Sequence, residues 1–170
     1  MRFARAFLIV SISLKLCPGA DCGSLLPRAF ALPSGWRVVT LEDLPEDDRD
    51  LWGREHAGQC PGAVVGRFTD DSRYSYAVAL LQSGPGGKLL EQLVAILPAG
   101  NRLSRVVLVK PTTVVSPFVV WAVPPGKYAG VDGAPAVSVP HDSIIYEKME
   151  ATANQFFYLD GRFRSIQTAE

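Results

Sequence analysis

The chain has 170 residues, with 17 basic and 17 acidic side chains, and 48% of its residues are hydrophobic against 20% charged. That composition is globular, not disordered, and the balanced charge excludes the electrostatic footprint of a nucleic-acid binder. Gly 15 and Pro 13, with many Val residues, favour short strands and turns over a helical bundle.

Arg2 and Arg5 precede an apolar run over residues 6–14, the order of a cleavable export leader. The run is far shorter than the ~20 residues of a membrane span. Residues 1–31 are therefore expected to be a signal peptide, cut after Ala29-Phe30-Ala31 or nearer Pro18-Gly19-Ala20. Residues 32–170 are expected to be a single β-rich domain, periplasmic or secreted, with no membrane span in the mature chain. Cys17 and Cys22 would leave with the leader, and Cys60 would stand alone with no disulfide.

In the mature part, residues 35–40 read as a first strand. Thr40 is a good helix N-cap with Asp43 three residues on, and Pro45 suits the first turn of a helix running to about His56. Leu44, Leu51 and Trp52 can share its inner face, and Gly58 and Pro61 stop it. Residues 63–68 and 74–81 read as two strands of a hairpin around the polar knot 69–73. In residues 88–97, Leu89, Leu90, Leu93, Val94 and Leu97 fit a helical stripe, but turn signals on both sides favour a strand, and both remain open. Residues 105–110 are a strand, Pro111 and Pro117 bracket another apolar stretch ending at Val123, and residues 127–140 read as loop. Strands at 143–149 and 155–159 follow, and Asp160-Gly161 turns the chain into a last strand. The expected fold is α+β: one domain, mainly antiparallel β-sheet, with one N-terminal helix packed against it.

The stretch from Gly66 to Ala77, Gly-Arg-Phe-Thr-Asp-Asp-Ser-Arg-Tyr-Ser-Tyr-Ala, resembles the FG-GAP repeat of integrin-like propeller blades. In that repeat the loop between two strands supplies oxygen ligands to calcium. Calcium needs six to eight converging oxygens. Asp71 matches an acidic position of the pattern, whereas Arg67 and Ser75 stand where acidic residues are usual, and Ser72 where glycine is usual. Asp70 and Asp71 therefore read as a degenerate remnant of a calcium loop, and no metal site is expected. Cys60-Pro61-Gly62, the stretch from Val123 to Tyr128, and the closing aromatic hairpin of Phe156, Phe157, Tyr158 and Phe163 extend the resemblance to small exported bacterial proteins carrying a single such segment. The resemblance implies location and fold, and no activity.

Other chemistry finds little support in the residues. His56 and Cys60 are four apart, but no second ligand pair completes a zinc site. His141 is remote in sequence, and neither Cys60–His56 nor Cys60–His141 has the surround of a nucleophilic cysteine. The acidic residues between Glu42 and Asp50 read as a solvated helix start, and Gly84-Pro85-Gly86-Gly87 lacks the ending of a phosphate loop. No catalytic residue and no cofactor are expected. The expected function is a non-enzymatic binding protein of the bacterial cell envelope, with another protein as partner, for example an inhibitor or immunity-type protein. A hydrolase with an unrecognised site, or an accessory subunit of an envelope complex, is the alternative.

Overall fold

The computed structural model describes residues 22–131 and 135–169. Most of the expected leader lies outside the described residues. The strands are β1 (Arg37–Val38), β2 (Ala63–Gly66), β3 (Ser75–Ser83), β4 (Leu89–Ala99), β5 (Arg102–Val114), β6 (Val119–Val123), β7 (Gly126–Tyr128), β8 (Val137–Val139), β9 (Ser143–Lys148), β10 (Thr152–Leu159) and β11 (Arg162–Ala169), with one α-helix, α1 (Glu46–Glu55). Among the described residues the fold is mainly antiparallel sheet with a single α-helix, as the patterning predicts. One sheet runs β1-β3-β4-β5, with β2 also on β3, and the other runs β11-β10-β9-β6; β7 and β8 form a small ribbon.

β1 and β2 share one edge of β3 end to end: Val38 opposes Leu80, and Ala63 opposes Val78. Between them, the Val39 N–H donates to the Ala79 carbonyl at 3.1 Å and the Ala79 N–H to the Gly62 carbonyl at 2.9 Å. Gly62 has to be glycine here, because a Cβ would sit 2.1 Å from the Val39 carbonyl oxygen. Next to it, the Pro61 carbonyl accepts the Val120 N–H at 2.7 Å, which ties the edge of the second sheet to the first. The Cys60-Pro61-Gly62 motif is thus the seam that closes one side of the sandwich.

The main core lies between the sheets. Ala77, Ala79, Leu81 and Leu93 from the first face Val119, Ile144, Tyr146 and Phe156 from the second, and Trp52 of α1 joins them. A second cluster covers the outer face of the first sheet, where Val78, Leu80, Val94 and Ile96 meet Cys22, Leu26, Phe30 and Trp36. The Cys22 and Cys60 sulfurs are bonded at 2.02 Å and pin that cover in place. This corrects the expectation that Cys60 stands alone: spacing cannot show that residues 22–36 pack on the sheet, and that packing brings Cys22 to Cys60.

Locally the outcome differs from expectation in three places. Thr40 and Asp43 do pair, with Asp43 Oδ2 accepting from the Thr40 N–H at 2.9 Å, but they bracket a 3-10 turn (Leu41–Asp43), and α1 starts only after Pro45. Pro111 does not end β5. It falls at a break in the pairing with β4, on the sheet's edge strand, where a missing N–H costs little. The expected loop 127–140 contains β7 and β8. The open question at 88–97 resolves as strand β4, whose Leu93, Val94, Ala95 and Ile96 are all buried, as in a strand covered on both faces.

Candidate functional site

The loop between β2 and β3 and the segment entering β9 form the walls of a cleft of about 560 Å³, lined by Arg67, Asp70, Ser72, Tyr74, His141 and Asp142 among others. Two hydrogen bonds join the walls. Asp142 Oδ2 accepts the Arg67 N–H at 2.8 Å, and His141 Nε2 lies 2.7 Å from Asp70 Oδ1. His141, isolated in the sequence, is therefore a direct partner of Asp70 across 71 positions of chain. No local periodicity could have announced that pairing; it depends on how the two sheets stack.

The two aspartates of the loop do different work. Asp71 is held inside it: Oδ1 accepts the Arg73 N–H at 3.0 Å and the Thr69 hydroxyl at 3.2 Å, and Oδ2 accepts Arg73 Nε at 3.0 Å. The Arg73 backbone N–H, more than the Arg73 side chain, holds the Asp71 carboxyl below the usual carboxylate range. Arg73 then donates to the Gly100 and Pro98 carbonyls, both at 3.2 Å, which fixes the loop to the β4–β5 turn. Ser72, at φ 55, takes the left-handed turn that glycine would otherwise occupy. Asp70 instead points into the cleft with its side chain 73% exposed, against 25% for His141.

Arg67 lies 5.2 Å over the ring of Tyr74, itself exposed, so one rim presents a cation on an aromatic face. The cleft thus offers a guanidinium, two carboxylates, an imidazole paired to one of them, and an apolar ring. Such a set can hold a ligand that carries both signs of charge. Among the described residues, no three His, Cys, Asp or Glu side chains converge as a metal site would require.

No family model, curated protein or solved structure matches this chain.

The other candidates of the sequence lie elsewhere. Cys60 is bonded to Cys22 and offers no thiolate. His56 stacks on Trp52 at 4.1 Å and meets Trp121 at 5.1 Å, and burial pushes its pKa below the ordinary value. Phe156 and Phe157 are buried, while Tyr158 and Phe163 meet edge to face at 5.3 Å.

Proposed function

We propose that the chain is an exported, disulfide-bonded binding protein of the bacterial cell envelope that acts without catalysis, as an inhibitor or immunity-type protein would. The Cys22–Cys60 bond carries the reading. Structural disulfides persist in oxidising compartments and are rare in the cytosol. The charged-then-apolar start of the chain supports the same location. Because Cys22 belongs to the cover of the first sheet, a leader cut near Pro18-Gly19-Ala20 fits better than one cut after Ala31.

The binding half rests on the cleft. Its groups stand on loops braced from several sides, and preorganised groups lose less entropy when a partner arrives. The residues on which the FG-GAP-like resemblance rests line this same cleft, and Asp71 is engaged by groups of its own loop. A hydrolase is the second reading, favoured by the His141–Asp70 pair sharing the cleft with Ser72.

One pair of assays separates them. On ester, peptide and glycoside substrates, the binding reading expects no turnover that depends on His141. Turnover abolished by His141→Ala overturns it in favour of the hydrolase. In parallel, a partner retained from envelope extract by the wild type and released by an Arg67→Ala/Asp142→Ala variant supports it.

A further inference from the structure

The sandwich is closed on one side and open on the other. At the closed side the Pro61–Val120 bond ties the sheets together. At the open side, among the described residues, the edge strands β5 and β11 pair with no further strand and not with each other. A groove of about 340 Å³ runs between them, with Val106, Val107, Leu108, Phe156 and Phe163 on its walls and Arg162 and Arg164 at its lip. Val107 is 44% exposed on an edge strand of 13 residues.

Long apolar edges invite pairing with another chain and are normally covered or broken by charge. Here the charge is of one sign. In a chain with 17 basic and 17 acidic residues, β5 and β11 carry Arg102, Arg105, Lys110, Arg162 and Arg164 and no acidic residue. Asp160, in the turn before β11, lies 2.6 Å from Arg164. At the far end of β11, the Val131 N–H already occupies the Gln167 carbonyl, so the open stretch lies nearer Arg162.

We propose that this groove is a docking site for an extended acidic segment of a partner protein, which adds as a strand along the open edge of β5. The edge supplies backbone donors and acceptors in the spacing of a β-ladder. The Val106–Leu108 wall and Phe163 take alternate apolar side chains, and the cations meet the acidic ones. A second copy of this chain does not fit the site: β5 laid against β5 would bring together two strands whose only charged side chains are cations, with Arg102 opposite Lys110 when the pair is centred on Val106. A nucleic acid matches the charge, but it has no strand edge to pair with β5.

The test uses the purified, disulfide-bonded protein and a fluorescein-labelled octapeptide alternating Glu and Val. Saturable binding is expected, with amide shifts confined to β5 and the start of β11, and weakening by about tenfold or more in Arg105→Glu and in Arg164→Glu. Circular dichroism of both variants verifies that they are folded. An octapeptide alternating Lys and Val is expected not to bind. The proposal is overturned by no binding of the acidic peptide at millimolar concentration, by unchanged affinity in both folded variants, or by equal displacement with a thymidine oligonucleotide of the same charge. These results are independent of the cleft, which Arg67 and Asp142 variants report.

Discussion

Glu91 is the residue whose chemistry conflicts most with its position. It sits in β4 with none of its surface exposed, beside an irregularity in the pairing with β5. Its carboxylate accepts the Phe118 N–H at 3.1 Å, and the Tyr146 hydroxyl next to it is buried without a hydrogen bond of good geometry. Burial outweighs the Phe118 hydrogen bond and pushes the Glu91 carboxyl up to about 7 from 4.5. The unfolded chain therefore gives up this proton first as pH rises. Stability is full below about pH 4.5 and falls across the window to about 7, by about 3 kcal/mol in total. Glu91→Gln keeps an acceptor for Phe118 and removes the charge. Denaturant melts are expected to find this variant more stable than wild type at pH 8, by up to about 3 kcal/mol, and close to it at pH 4. Equal stability at pH 8 would contradict the account.

Among the elements, the cover formed by residues 22–36 changes the picture most. It is irregular apart from a short 3-10 turn (Cys22–Leu25), so it has no period to detect, yet it buries the outer face of β3 and β4. Its anchor closes a loop of 38 residues, and chain entropy puts such a crosslink at about 4 kcal/mol. Cys60→Ser and Cys22→Ser are each expected to lower unfolding free energy by about that amount, with faster proteolysis in residues 26–36. The check is a denaturant midpoint and a limited digest of each variant beside the oxidised wild type. Elements that obey a local rule were legible in the sequence: the hairpin around residues 69–73, the Asp160-Gly161 turn with both residues at positive φ, and α1 with Trp52 inward. The β4 sequence read as both helix and strand, because burial on both faces erases the alternation of two. Pro111 read as a break because edge position is a tertiary property. The cleft was half legible. Asp70 and Asp71 stand out as a polar knot, while His141, Arg67 and Tyr74 acquire meaning only once β9 is stacked beside the hairpin.

At the scale of the whole molecule, two sheets share one core, a seam at residues 60–62 joins them on one side, and a crosslinked cover shields the first sheet outside. No helix among the described residues is long and apolar enough to cross a membrane. The central claim, export into an oxidising compartment with the cover retained, predicts the covalent form of the protein in its own cell. The direct measurement is intact and non-reduced peptide mass spectrometry of the protein recovered from the cell envelope. The account predicts an N-terminus upstream of Cys22 and a peptide pair joined through Cys22 and Cys60. A chain that begins after Ala31, a free Cys60 thiol, or a protein that keeps Met1 in the cytoplasm would contradict it.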